Sequence, residues 1–151
     1  MRPPALSKLI PIAKTARKKI EKLAYIEGGH SDLAGYCGIA ARYIELVANK
    51  NNIEVEFVAG QFNSYVRTID VYRQHSGHCW LECDGYIVDI TATQFKDVVS
   101  KVKRNFGKKI YTSVINNPHY KKDLVGDAAK KCVAMWYEEA IDYVVSKADR
   151  I

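Results

Sequence analysis

The cysteine at position 37 lies where a loop gives way to a helical pattern, which is a position that favours a reactive thiol. Asp32 and Gly35 precede it, and an apolar helical period follows it. A thiol at a helix N-terminus meets the partial positive charge of unpaired backbone N–H groups, which favours the thiolate. The same groups can bind the oxyanion of a tetrahedral intermediate, and Gly35 and Gly38 leave room for a substrate. Nucleophilic chemistry at Cys37 is therefore predicted, although an inert cysteine that begins a core helix fits as well.

A histidine and an aspartate fall on one face of a predicted hairpin. His78 begins the strand HCWLEC, and Asp84-Gly85, a strong two-residue turn signal, joins it to the strand YIVDIT. Strand alternation puts His78 on the face of Trp80, and Asp89 lies diagonal to His78, within side-chain reach. The expected pairs are Cys83 with Tyr86, Leu81 with Val88, and Trp80 with Asp89. An isolated strand histidine is more often structural, but a neighbouring carboxylate can hold the imidazole tautomer and stabilise its protonated form.

The order of these motifs is similar to that of a known enzyme family. The series GYCGIAARYI and then GHCWLECDGYIVDITATQF, over roughly residues 33 to 95, resembles the transglutaminase-like branch of the papain-like cysteine enzymes. In that family a cysteine opens a core helix, a histidine lies on one strand and an aspartate on the neighbouring strand. The resemblance implies that Cys37 is the nucleophile, His78 the base and Asp89 the orienting acid.

The resemblance also implies a fold and a source of oxyanion stabilisation. We expect an α+β domain in which a buried helix, with Cys37 at its N-terminus, packs on an antiparallel sheet that carries His78 and Asp89. Papain-like enzymes usually place a side-chain oxyanion donor near the cysteine. Three residues are candidates for that role or for substrate contact: Gln61, Trp80 and Tyr36.

The function implied is thiol-dependent hydrolysis of a peptide or related amide bond through a thioester on Cys37, with a peptide or protein substrate and no cofactor. The glycines that flank Cys37 suit an open cleft, and Trp80 is the only obvious apolar wall near the triad. Two alternatives stay open. One is an acyltransferase or transglutaminase that moves the acyl group to an amine, and the other is a catalytically silent binding module.

A zinc site is a weaker interpretation of the cysteines in the hairpin. Cys79 and Cys83, with His75 and His78 nearby, are residue types that bind zinc. On an ideal strand, however, the two cysteines point away from the face of His78, and the tight spacing of structural zinc sites is absent. Cys79 and Cys83 are instead expected to face the core beside Leu81, and no metal is expected.

Hydrophobic periodicity predicts the elements that must position these residues. Prolines in the first ten residues argue against a continuous helix there, so the first helix should run from Pro11 to Gly28. The other predicted elements are a buried helix over Cys37–Ala48, a strand over Ile53–Phe62, the hairpin strands His78–Cys83 and Tyr86–Thr91, a helical turn over Gln94–Val99, a strand over Lys108–Val114 and a long amphipathic helix over Val125–Val145.

Composition narrows the class of protein. The 151 residues, 48% of them hydrophobic, suit one globular domain over 1–151. No apolar run is long enough to cross a bilayer, and no secretory signal is readable. The net charge of +6 does not come with a nucleic-acid-binding fold or a base-stacking aromatic array, so neither a membrane nor a nucleic acid is expected as partner. Four cysteines without an export signal favour reduced thiols in the cytoplasm.

Overall fold

The computed structural model describes residues 3–63, 75–95, 108–122 and 140–148, and these form an α+β fold. Its helices are α1 (Pro4–Glu27), α2 (Cys37–Lys50) and α3 (Ala140–Ala148). Its strands are β1 (Glu56–Asn63), β2 (His75–Cys83), β3 (Tyr86–Asp89), β4 (Tyr111–Val114) and β5 (Tyr120–Lys122). Within these ranges no helix is both long enough and apolar enough to span a membrane.

The first helix begins earlier than the prolines suggested. Pro4 occupies the first turn, where its missing N–H costs nothing, and Pro11 lies inside the helix. An interior proline costs about 3 kcal/mol. Burial of Leu6, Leu9 and Ile10 offsets this cost, because each fully buried aliphatic side chain contributes about 1.5–3 kcal/mol. The prediction that the helix starts at Pro11 is therefore wrong.

The ends of the two large helices agree with the sequence signals. Gly28 ends α1 in the left-handed conformation, with φ of 71°, and the following N–H donates to the carbonyl of Ala24 at 2.7 Å. Helix α2 begins at Cys37, as predicted, and continues two residues past the predicted Ala48. One side of α2 is buried because its apolar residues recur at helical spacing.

The hairpin between β2 and β3 forms in the predicted register. Asp84 and Gly85 have φ of 51° and 81°, so the turn is the type with two left-handed residues that matches strand twist. The pairs are Leu81 with Val88, Glu82 with Ile87 and Cys83 with Tyr86. The expected pair of Trp80 with Asp89 is not among them. The ladder between β2 and β3 ends at the pair of Leu81 with Val88, whereas Trp80 is still paired with Val58 on β1 and Asp89 with Tyr111 on β4.

The five strands form one antiparallel sheet in the order β4-β3-β2-β1-β5. Its two faces bury different sets of side chains. One face packs against the helices and includes Cys79, Leu81, Cys83 and Val88, as alternation predicted; we call this set, with the apolar faces of α1 and α2, the helix-facing core. The other face forms the aromatic core, which consists of Val58, Phe62, Trp80, Ile87, Ala92, Phe95, Tyr111 and Tyr120.

The sheet curls so that its edges meet. Tyr111 on β4 and Tyr120 on β5 belong to opposite edge strands, yet their rings stack with centroids 5.9 Å apart. Gly60 on β1 permits the close packing of β5, because a Cβ at that position would lie 2.3 Å from the carbonyl oxygen of Lys121 and 2.7 Å from the Trp80 ring. Side chains from distant strands therefore converge on the aromatic core.

The remaining elements differ in part from the predictions. A 3₁₀ turn spans Ala92–Phe95, earlier than the predicted turn, whose last residues lie outside the described ranges. Strand β4 begins three residues later than expected, and β5 has no counterpart among the predictions. Of the predicted final helix, α3 is the part that the structure describes, and Cys132 lies outside the described residues.

Candidate functional site

Cys37 is the first residue of α2 and is half-buried. The first hydrogen bond of the helix runs from the N–H of Ala40 to the carbonyl of Tyr36, at 3.0 Å. The N–H groups of Cys37, Gly38 and Ile39 precede that bond, so the helix gives them no partner. They lie at the positive end of the helix dipole, which favours an anion at the Cys37 sulfur or beside it.

The loop before Cys37 is fixed to the rest of the domain. Leu33 is fully buried although its φ is 67°, a conformation that costs a residue with a side chain about 1–3 kcal/mol. The carbonyl of Asp32 accepts a hydrogen bond from the Thr93 hydroxyl at 3.0 Å. Buried Arg17 on α1 donates to the Thr93 hydroxyl at 2.9 Å and to the Ile90 carbonyl at 2.6 Å. These contacts join α1, the loop and the segment after β3, and they hold the start of α2.

His78 and Asp89 form a buried pair. The distance from Nε2 of His78 to Oδ2 of Asp89 is 2.6 Å, and each residue is 2% exposed. The other carboxylate oxygen, Oδ1, accepts from the backbone N–H of Thr91 at 2.9 Å and from its hydroxyl at 3.2 Å. The hydroxyl of Tyr120 donates to Oδ2 at 2.8 Å. The predicted contact between histidine and aspartate is therefore present in the structure.

The imidazole of His78 is enclosed by aromatic rings. Phe95 meets it edge-on with centroids 4.8 Å apart, Trp80 lies 6.0 Å away at a shallow angle and Phe62 lies 6.1 Å away. With Nε2 occupied by Asp89, the buried Nδ1 is the other polar atom of the ring, and within the described residues it has no hydrogen bond of standard geometry. Nδ1 is thus the ring nitrogen that remains to exchange a proton with the Cys37 thiol.

The thiol and the imidazole interact electrostatically. Hydrogen bonding from the Cys79 thiol, together with the nearby charge of protonated His78, lowers the pKa of Cys37 well below 9.0 despite burial. Burial disfavours protonated His78, but Asp89 and Cys37 outweigh it and raise the pKa of His78 to about 10. Burial likewise disfavours ionised Asp89, and the His78 charge with its hydrogen bond overcomes this and lowers the pKa of Asp89. Around neutral pH these shifts favour a thiolate beside an imidazolium.

Cys79, which sequence reasoning assigned only to the core, is a neighbour of Cys37. It does lie in the helix-facing core, and it lines the same small crevice as Cys37. Hydrogen bonding to Cys37, aided by burial, raises the pKa of Cys79 far above that of an ordinary thiol. Cys79 therefore stays protonated and can donate its S–H to the Cys37 thiolate.

The three predicted oxyanion candidates lie in different surroundings. The hydroxyl of Tyr36 donates to Glu27 at 2.9 Å. Trp80 is buried, and its Nε1 donates to Glu82 at 3.4 Å. Gln61 is exposed on β1, two residues after Ala59, whose partner across the strands is Cys79. By strand alternation, Gln61 lies on the same face of the sheet as Cys79.

Sequence reasoning missed Tyr120 and Thr91. Thr91 carried a usable signal, because a threonine two residues after an aspartate can donate both its N–H and its hydroxyl back to that carboxylate. Tyr120 carried none, since it lies 31 residues from Asp89 and on a strand of three residues.

Among the residues that the structure describes, no cluster of three or more His, Cys, Asp or Glu side chains has a metal-binding arrangement. Comparison with known protein families, with curated proteins and with solved structures finds no match for this chain.

Proposed function

We propose that this protein is a cysteine-dependent hydrolase of peptide or related amide bonds, of the transglutaminase-like branch of the papain-like enzymes. The observation that supports it best is the buried His78–Asp89 pair, at 2.6 Å, beside a thiol of lowered pKa at a helix start. Burying an imidazole and a carboxylate together is costly unless both are paired, and a structural histidine does not require a reactive thiol as its neighbour.

The reaction follows from these positions. The Cys37 thiolate attacks the carbonyl carbon, and the N–H groups at the start of α2 bind the oxyanion. Protonated His78 gives its proton to the leaving amine from Nδ1, while Asp89 holds Nε2. The C–N bond breaks and leaves a thioester on Cys37. His78 then takes a proton from water, the resulting hydroxide attacks the thioester, and the carboxylic acid leaves as the thiolate returns.

Further details of the proposal rest on separate observations. Tyr36 and Trp80 already donate to carboxylates, which leaves Gln61 as the side-chain oxyanion donor that we propose. The glycines on either side of Cys37 favour an extended peptide or protein substrate. Cys37, Cys79 and Cys83 are free thiols, which supports the cytoplasm as the proposed compartment.

Selective alkylation tests whether Cys37 is the nucleophile. We expect iodoacetamide at limiting dose and neutral pH to modify Cys37 before the other cysteines, because the thiolate is the reactive form. Peptide mass mapping identifies the modified residue, and Cys37→Ser serves as the blank. Preferential labelling of Cys79, Cys83 or Cys132 would overturn the assignment and favour the silent binding module.

A peptide library with a labelled primary amine then separates hydrolysis from acyl transfer. Both reactions form the same thioester at Cys37, so the products report whether water or the amine resolves it. We expect new carboxyl groups in the library peptides incubated with the wild-type protein, and none in those incubated with Cys37→Ser. Dominant amine incorporation with little hydrolysis would reverse the assignment in favour of a transglutaminase.

A further inference from the structure

Tyr120 lies on β5, away from the strands β2 and β3 that carry His78 and Asp89, yet it forms a hydrogen bond with this pair. Its hydroxyl donates to Oδ2 of Asp89 at 2.8 Å, and this is the oxygen that His78 binds at 2.6 Å. Oδ1 is engaged separately by Thr91. Two donors, one phenolic and one imidazole, therefore share a single carboxylate oxygen.

The contact depends on the curl of the sheet. β5 and β3 are separated by β1 and β2 in the strand order. Tyr120 nevertheless reaches Asp89 because its ring lies in the aromatic core, 5.1 Å from Trp80 and 5.3 Å from Phe62 between centroids. These rings determine where the hydroxyl points, so the hydroxyl has a fixed position and not that of a mobile surface group.

We infer that Tyr120 is a positioning residue of this site, whose hydroxyl orients Asp89 and limits the negative charge that Oδ2 offers to His78. This inference rests on the proposed function of the Cys37–His78–Asp89 site. A second donor to a carboxylate oxygen withdraws part of the negative charge of that oxygen. The tyrosine therefore weakens the attraction between Asp89 and the imidazolium. His78 must release its proton to the leaving amine, and an orienting acid that binds the proton less tightly favours that transfer.

The direct test is an NMR titration of the His78 ring in the full chain with isotope-labelled histidine. Tyr120→Phe keeps the ring and removes the hydroxyl, so the midpoint of the His78 titration should rise, by roughly half a pH unit or more, since one hydrogen bond to a charged group is worth about a unit. Tyr86→Phe is the matched control, because Tyr86 lies on β3 but pairs with Cys83 and Val114 and packs against the helix-facing core. We expect that control to titrate like the wild type.

A second variant retains the whole side chain, so that lost packing does not explain a change in the His78 titration. Site-specific replacement of Tyr120 by a ring-fluorinated tyrosine retains both ring and hydroxyl but makes the hydroxyl a stronger donor. It should move the His78 midpoint downward, opposite to Tyr120→Phe. In an Asp89→Asn background neither replacement should have its effect, because the hydroxyl acts through that carboxylate.

The outcomes separate this inference from the proposed function. Midpoints that coincide with the wild type in both variants would limit Tyr120 to a structural role, even if Cys37 alkylation still depends on His78. Conversely, if Cys37 shows no selective alkylation, the proposed hydrolase fails, whereas opposite shifts in the two variants would still establish that Tyr120 tunes the His78–Asp89 pair.

Discussion

At the residue scale, Asp89 is the best-connected group of the site. Each of its oxygens accepts two hydrogen bonds, from His78 and Tyr120 on Oδ2 and from two atoms of Thr91 on Oδ1. A carboxylate has about four acceptor positions, so Asp89 is saturated and has little freedom to rotate. A saturated, ionised carboxylate can hold the imidazole in one orientation and stabilise its proton.

Removal of the histidine should therefore lower the reactivity of the thiol. Without His78 the pKa of Cys37 should move towards that of an ordinary thiol, which is only a few per cent ionised at neutral pH, so His78→Ala should slow alkylation roughly thirtyfold. Asp89→Asn should slow it less, since the imidazole remains. His119→Ala is the control, because His119 stacks on Phe62 but bonds to the Asn63 carbonyl. Unchanged alkylation in folded His78→Ala protein would remove histidine from the site.

Cys79 should also help to lower the pKa of Cys37. Cys79→Ala removes the S–H donor to the Cys37 thiolate, so we expect the pKa of Cys37 to rise. Alkylation below that pKa should then slow severalfold, with convergence on the wild-type rate at alkaline pH. Cys83→Ala is the control, because it removes a thiol from the same strand and the same core. If both variants give the wild-type pH profile, Cys79 has no part in ionising Cys37.

At the scale of elements, the site depends on where the ladder between β2 and β3 ends and on how closely β5 packs on β1. Beyond the Leu81–Val88 pair, β2 follows β1 while β3 follows β4, and there His78 meets Asp89. Gly60 pairs with His78 on one side and with Lys122 on the other. A single glycine thus lies between His78 and the strand that supplies Tyr120.

A side chain at Gly60 should disrupt this packing. Gly60→Ala should lower the free energy of unfolding by about 1–3 kcal/mol, the usual cost of overpacking, because backbone and the Trp80 ring occupy the space for its Cβ. Gly77→Ala is the matched control on the neighbouring strand, since nothing lies within 4 Å of its Cβ. Urea unfolding measures both. Equal stability of the two variants would show that β5 can move away from β1 at little cost.

What the sequence could predict depends on how local the determining interactions are. Asp84-Gly85 specifies its turn by backbone conformation alone, so the register of β2 and β3 and the proximity of His78 to Asp89 followed from it. The predicted start of α1 was wrong because the burial of residues before Pro11 is a tertiary effect. β5 was missed because two of its three residues are exposed lysines, and its position is set by Gly60 and the aromatic core.

At the scale of the whole molecule, the site links ionisation to folding through two opposite shifts. His78 has a folded pKa of about 10, above the ordinary 6.5, so its contribution is complete below pH 6.5 and is lost as the pH rises through 10. Cys37 has a folded pKa well below 9.0, so its contribution is present above pH 9.0 and is lost as the pH falls through the folded pKa. The two contributions overlap between the folded pKa of Cys37 and the folded pKa of His78, and a thiolate–imidazolium pair stabilises the fold most in that pH range.

The Cys37→Ala variant removes the thiol together with its coupling to His78 and Cys79, while the remaining titrating groups are common to the variant and the wild type. We expect the difference in unfolding free energy, wild type minus variant, to grow as the pH rises towards 9.0 and to decline towards 10, where His78 loses its proton. Urea unfolding at a series of pH values from about 5 to 10 measures the difference. The same comparison in a His78→Ala background should give a smaller rise, since the imidazolium no longer lowers the pKa of Cys37. A difference independent of pH would mean that Cys37 ionises alike in the folded and unfolded chains, and it would contradict an activated thiol at the start of α2.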